Sequence, residues 1–339
     1  MRVLLAVFCA SATLLLGQAL LGQTLPGQSA EPASGGKENS ALKDTTPFRA
    51  DTTLVLVPVS VTDPNNRYVL GLGKDDLRLF EDGVEQKVTH FSNEDAPLSI
   101  GLLVDTSGSM GAKLETSRQA VTEFLKTLNS ADEAFLVEFS DQAQLAIPLT
   151  NDTRAIEGAM TSATSGGLTA LLDAVHLGLQ EMKHSKNPRK ALLVISDGGD
   201  NNSRYTSSEI TSLVREADVQ VYAMGVFEPS LSFGLPPGLG SHGAANGKLG
   251  DAELDGPRLL AEIANQTGGR ALAATNLREL PGIAERIGIE LRNQYVLAYS
   301  PTNPSHDGKY RKIEVKLQQP KALPALKARW REGYYAPSE

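Results

Sequence analysis

The stretch Leu98-Ser-Ile-Gly-Leu-Leu-Val-Asp105-Thr-Ser107-Gly-Ser109-Met110 decides the fold, because its apolar run stops at a carboxylate and gives way to small hydroxyl residues. Gly101-Leu-Leu-Val104 is apolar at successive rather than alternate positions. That pattern predicts a strand covered on both faces, as in a parallel sheet. Asp105, Ser107 and Ser109 then fall at the strand's carboxyl end, where open α/β sheets keep their sites. One carboxylate and two hydroxyls on a single short loop suit a hard divalent cation that prefers oxygen ligands.

Outward from this strand the chain alternates between helical and extended patterns. Leu114, Val121, Phe124, Leu125 and Leu128 share one helical face, and Ala134–Phe139 and Ala143–Ile147 read as strands. Leu172, Val175, Leu179 and Met182 mark a second helix before a strand at Ala191–Ile195. Ile210, Leu213, Val214 and Ala217 mark a third before a strand at Val219–Val226. Leu259, Leu260, Ile263 and Ala264 give a short helix, and Leu277, Leu280, Ile283, Ile287 and Leu291 a long last one. The expected architecture is α/β: a doubly wound, mostly parallel sheet with helices on both faces.

The Asp105-x-Ser107-x-Ser109 loop resembles the opening of the metal-ion-dependent adhesion site in the von Willebrand factor A family. In that family a distant threonine and a distant aspartate complete the site. Thr169, within Ser165-Gly-Gly-Leu-Thr169-Ala-Leu-Leu-Asp, matches the threonine, and Asp197, within Leu-Val-Ile-Ser-Asp197-Gly-Gly-Asp200, matches the aspartate. The resemblance covers about residues 96–292. It implies direct coordination by Ser107, Ser109 and, in one state, Thr169, with Asp105 and Asp197 often acting through water. Such a donor set leaves a divalent ion incompletely neutralised and with an open position, so it favours an Asp or Glu carboxylate brought by a protein or peptide partner. Mg²⁺ fits because it keeps several waters and takes few protein carboxylates; Mn²⁺ can substitute, and Ca²⁺ fits less well. Each residue also has an ordinary role open to it: Asp105 as a helix cap, Ser107 and Ser109 as turn residues, Thr169 as a helix N-cap, Asp197 as a turn residue before Gly198. Asp200 reads as a solvated loop residue.

The flanks have a different character. Residues 1–23 carry one positive charge and an apolar run, the pattern of a secretory signal peptide, which predicts a secreted or periplasmic protein. An uncleaved anchor is the alternative, since the run to Leu21 approaches the ~20 residues needed to span a bilayer. No second apolar run of that length follows residue 30. Residues 24–47, rich in Pro, Gly, Ser and Gln, read as a flexible tether. Residues 48–94 read as β structure, with a hairpin joining Leu77–Phe80 to Val88–Phe91 through Glu81-Asp-Gly83. Fewer than about 60 residues bury only a small core. The period-two strands of residues 293–339 are therefore expected to close a small β-sandwich with them, around an A-type domain at 95–292. Secreted bacterial proteins of the A-domain kind look similar, with a Val-rich opening, an Asp-Gly hairpin and a closing Gly-Tyr. The segment 228–255 reads as a long loop on the same edge as the site, either shaping a ligand surface or an insertion without consequence.

Composition removes several functions. A net charge of −8 over 339 residues argues against nucleic acid, whose affinity is drawn from Lys and Arg. Cys9 is the only cysteine and lies in the signal segment, so disulfides, thiolate metal sites and cysteine nucleophiles are excluded from the mature chain. His90, His176, His184, His242 and His306 show neither metal-ligand nor triad spacing, and no nucleophile elbow or phosphate loop is present. The sequence thus favours a metal-dependent binding protein over an enzyme. Two alternatives remain: an assembly module of a cell-envelope complex whose ion only stabilises loops, and a metal-assisted hydrolase.

Overall fold

The computed structural model of the chain describes residues 54–225, 250–318 and 325–338. The signal segment 1–23, the tether 24–47 and most of the loop 228–255 lie outside the described residues. In chain order the elements are β1 (Val55–Thr62), β2 (Leu77–Glu81), β3 (Val84–Gln86), β4 (Val88–Ser92), β5 (Leu98–Asp105), α1 (Leu114–Leu125), β6 (Glu133–Phe139) and β7 (Ala143–Thr150). There follow α2 (Thr153–Ser162), α3 (Leu171–Met182), β8 (Arg189–Ser196), α4 (Ser207–Glu216), β9 (Gln220–Gly225), α5 (Gly250–Gln266), β10 (Ala271–Ala273) and α6 (Leu280–Arg292). The chain closes with β11 (Tyr295–Tyr299), β12 (Tyr310–Leu317), β13 (Lys327–Trp330) and β14 (Gly333–Tyr335).

The central sheet has the order β10-β9-β8-β5-β6-β7, parallel except for β7, which runs antiparallel to β6 at the edge. Pro148 is tolerated in β7 because an edge strand need not donate every ladder hydrogen bond. All eight residues of β5 are buried, as the unbroken apolar run requires. Leu98, Ile100, Leu102 and Val104 face a layer that includes Val121 and Phe124 of α1, Ile156 and Met160 of α2, and Ile283 and Ile287 of α6. Leu103 faces the opposite layer, with Val175 of α3, Val214 of α4 and Ile263 of α5. From β5 the chain first builds outward through β6 and β7, then returns to lay β8 on the other side of β5. The order therefore reverses between β5 and β8, and the crevice outside their carboxyl ends is the sheet's switch point.

Two further sheets flank this unit, with the orders β13-β1-β11-β4 and β14-β12-β2-β3. Each mixes strands from before and after the α/β unit, and they pack on a shared core of Val57, Val59, Leu79, Tyr295, Leu297, Tyr299, Ile313 and Val315. At the junction with the α/β unit, the buried Gln294 amide donates to Ser60 Oγ and Tyr222 Oη, each at 3.2 Å. The Tyr68 hydroxyl donates to Glu290 Oε2 of α6 at 3.0 Å.

Three local expectations need correction. The hairpin is closed by β2 and β3, not by β2 and Val88–Phe91. Asp82 and Gly83 both adopt positive φ (48° and 82°), the backbone of a two-residue turn whose twist suits strands that pair at once. After Lys87 the chain crosses to the other sheet, where β4 pairs with β11. Helix α2, which no periodicity signalled, buries only Ile156 and Met160. Helix α5 begins at Gly250, so the long loop ends earlier than 255.

The placement of β5 depends on Gly101. A Cβ there would stand 2.3 Å from Phe135 Cζ and 2.5 Å from a Leu192 methyl, both in the packed core. Gly101→Ala is therefore expected to destabilise the fold by about 1–3 kcal/mol through overpacking. The effect would be read as a lower urea midpoint at unchanged slope; an unchanged midpoint would contradict this packing.

Candidate functional site

The β5–β8 crevice collects the ends of three loops. Asp105, the last residue of β5, is fully buried; its Oδ1 accepts from the Ser107 amide at 2.9 Å and its Oδ2 from the Ser196 hydroxyl, the last residue of β8, at 2.6 Å. Beyond it lies a single 3₁₀ turn, Gly108–Met110, whose N-cap is Ser107. The Ser107 and Ser109 hydroxyls are 3.1 Å apart, Ser107 buried and Ser109 exposed at the surface. The second loop, 165–170, is stitched to the first by Gly166 N to Thr106 O (2.8 Å) and Gly108 N to Gly167 O (3.0 Å). Gly167 turns at φ 80° directly over the Asp141 carboxylate, which leaves no room for a Cβ, and Asp141 Oδ1 accepts the Leu168 amide at 2.8 Å. Thr169 follows, 4% exposed, its amide donating to Asn201 Oδ1 and its carbonyl accepting from the Asn201 and Asn202 amides. That ties the second loop to the third, 197–203.

These contacts decide among the ordinary roles that each residue could have filled. Ser107 makes no side-chain capping bond to the 3₁₀ turn. Thr169 does not cap α3: the N-cap is Ala170, the Leu171 amide is satisfied by Asp200 Oδ1, and the Leu172 and Asp173 amides by Ser203 Oγ. Asp200 is thus a half-buried capping group rather than a solvated one, and burial raises its pKa. Asp197 Oδ2 accepts from Lys113 Nζ at 2.9 Å. Ser196 and Lys113 are the participants that sequence reasoning missed. β8 is buried at every position from Ala191 to Ser196, so nothing in its pattern singles out Ser196, and seven intervening residues separate Lys113 from Asp105 with no periodic signal.

The donor chemistry fits a hard cation. Among the described residues no group of three or more His, Cys, Asp and Glu converges, so an ion here would depend on hydroxyls and at most two carboxylates. That set suits Mg²⁺ or Mn²⁺ with retained waters far better than Zn²⁺, which takes nitrogen and sulfur.

Burial pushes the Asp105 carboxyl up to about 6, against the hydrogen bonds from Ser107 and Ser196 and with the help of the Asp197 charge. The folded value lies above the unfolded one of about 4. Folding therefore takes up a proton, and the stability due to neutral Asp105 is complete below about pH 4 and lost as pH rises through about 6. In EDTA, wild type is expected to lose about 3 kcal/mol relative to Asp105→Asn between these limits. Urea unfolding of the two proteins across that range measures the difference; a constant difference would contradict the buried charge.

Residues 100–199 match the family model described as the von Willebrand factor type A domain. A protein from Borreliella burgdorferi, itself uncharacterized, is 27% identical over 198 residues, 55% of each chain, so this chain spans about half of that relative's length. An aerotolerance-related membrane protein from Bacteroides fragilis is similar in structure, with a TM-score of 0.45 and 19% identity over 57% of this chain and 98% of the other. A von Willebrand factor type A protein from Catenulispora acidiphila gives a TM-score of 0.48 and 10% identity over 85% of this chain and 74% of its own. Domains of this family typically mediate protein–protein interaction and are generally not enzymes. The match to the von Willebrand factor type A domain thus falls within the six-stranded unit of this chain, over β5 to β8 and the three loops of the crevice.

Proposed function

We propose that this chain is an exported protein that binds a protein or peptide partner through a divalent cation, Mg²⁺ or Mn²⁺, held by Asp105, Ser107, Ser109, Thr169 and Asp197. The observation that carries this reading is the set of hydroxyls that cap no helix. Ser107 and Thr169 stand at helix starts yet cap neither, because Asp200 and Ser203 supply those hydrogen bonds for α3. Hydroxyls that cap no helix, grouped beside two carboxylates, are the chemistry of an oxygen-ligated cation.

Each side chain has a definable task. Asp105, fixed by Ser107 and Ser196, supplies the fixed negative charge at the floor. Ser107 and Ser109 offer oxygens from one turn, and Thr169 a third from the facing loop. Asp197 stands at the rim, 14% exposed, where a cation is entered or left. When bound, the cation supplies an open position for an acidic oxygen of the partner. Leu168, 49% exposed and adjacent to Thr169, offers apolar contact to the partner residue beside that acid. The apolar run of residues 1–23 supports export.

Calorimetric titration of the purified chain with MnCl₂ tests the reading. One Mn²⁺ per chain is expected, with Asp105→Ala and Ser109→Ala each lowering affinity by roughly tenfold or more. Absence of both Mn²⁺ and Mg²⁺ uptake would sink it. Retention of a native partner by Asp105→Ala would instead favour an assembly module.

A further inference from the structure

Lys113 holds a position that the proposed cation site does not account for. Its backbone is fixed at the N-cap of α1, with the amide donating to Met110 O and the carbonyl accepting from both the amide and the hydroxyl of Ser117. From there the side chain reaches into the crevice and places Nζ 2.9 Å from Asp197 Oδ2, with both side chains only 14% exposed. A lysine stem free to follow solvent has no need to stay there. The two carboxylates of the site are satisfied in different ways: Asp105 by a hydroxyl and an amide, Asp197 by a full positive charge.

We propose that Lys113 is a tethered counter-cation that weakens the binding of divalent ions until an acidic guest arrives, making cation uptake and ligand binding cooperative. The inference rests on the reading of the site as a divalent-cation site. Its basis is the charge of a partly buried pocket, where unlike the open surface the interactions are only weakly screened. Two carboxylates and one ammonium leave the pocket with a single negative charge. A divalent cation turns that to a single positive charge, and one incoming carboxylate restores neutrality. Without Lys113 the same cation neutralises the two carboxylates by itself, and an acidic guest adds nothing to the balance. The ammonium also competes directly, since Asp197 must release Lys113 before that oxygen can face an ion or its water. The site then binds its ion weakly alone and more tightly together with its guest, which is linkage in the thermodynamic sense: each raises the affinity of the other by the same factor.

The test is calorimetric titration of MnCl₂ into wild type, Lys113→Met and Lys113→Gln, with sodium acetate as the carboxylate probe against sodium chloride at equal ionic strength. In chloride, Lys113→Met and Lys113→Gln are expected to bind Mn²⁺ roughly tenfold tighter than wild type. Acetate is expected to tighten Mn²⁺ binding to wild type and to have a much smaller effect on either variant. The wild-type acetate dependence is read without any substitution, so a poorly folded variant does not remove the test. Equal Mn²⁺ affinity in all three proteins with equal acetate effects would overturn the role of Lys113 and leave the cation site standing. Weaker binding by the variants would also overturn it, since Lys113 would then be orienting Asp197. No Mn²⁺ uptake by any of them would overturn both.

Discussion

A carboxylate buried at the end of a strand that is itself covered on both faces is the constraint on which this structure turns. β5 has no solvent face along its length, so the only place where its residues can meet a ligand is its carboxyl end. The strand order reverses there, and the helices that would close the crevice diverge to opposite layers. Asp105 sits at that opening but below its surface, where ionisation is opposed by burial and aided by the Ser107 amide and the Ser196 hydroxyl. The site is therefore held under electrostatic tension that a proton relieves and that the proposed cation would relieve. Stability of the empty fold and readiness of the site oppose each other at this one residue.

The loops around Asp105 resolve a hydrogen-bond problem that each could not solve alone. Helix α3 begins at a residue with no side chain able to cap it, Ala170, and its orphan amides are satisfied from the 197–203 loop by Asp200 and Ser203. Asn201 and Asn202 of the same loop tie down the Thr169 backbone, and Asp197 at its start meets Lys113. One segment thus caps a helix, fixes the threonine and carries the second carboxylate. Its several tasks explain why Thr169 keeps a free hydroxyl at the start of a helix, a place where threonine ordinarily spends it on capping.

Much of this was legible in the chain before any coordinates. The unbroken apolar run of β5 forced a doubly covered strand, and the Asp-x-Ser-x-Ser spacing placed three oxygens on one turn. Thr169 and Asp197 were legible only through the family resemblance, because nothing in local periodicity ties residue 169 or 197 to residue 105. Helix α2 escaped because two buried residues, Ile156 and Met160, make too faint a stripe over its length. The hairpin was misjoined because Val84–Gln86 is short and polar while Val88–Phe91 looks like the better strand. The two-residue turn at Asp82-Gly83 decided the pairing, and strand quality did not. Lys113 and Ser196 were invisible for a different reason: their part is defined by contacts across the switch point, which no spacing along the chain encodes.

The flanking sheets add a mechanical condition to the electrostatic one. α6 leaves the α/β unit through the buried Gln294, bonded to both Ser60 and Tyr222, and passes directly into β11. Glu290 of the same helix is buried against Tyr68 Oη, Tyr222 Oη and Arg270, while Arg292 is paired with Asp95 and Asp132 near the other end of β5. Glu290, Asp132 and Arg292 are buried or half-buried charges, costly to leave unpaired. Sliding α6 along the sheet would break several at once. The response proposed for the site therefore lies within the crevice, in an exchange of the partners of Asp197 and Asp105. Under the proposed reading, the small, reversible step is the swap of an ammonium for a metal ion and a carboxylate, which the frame below the crevice would confine to that place.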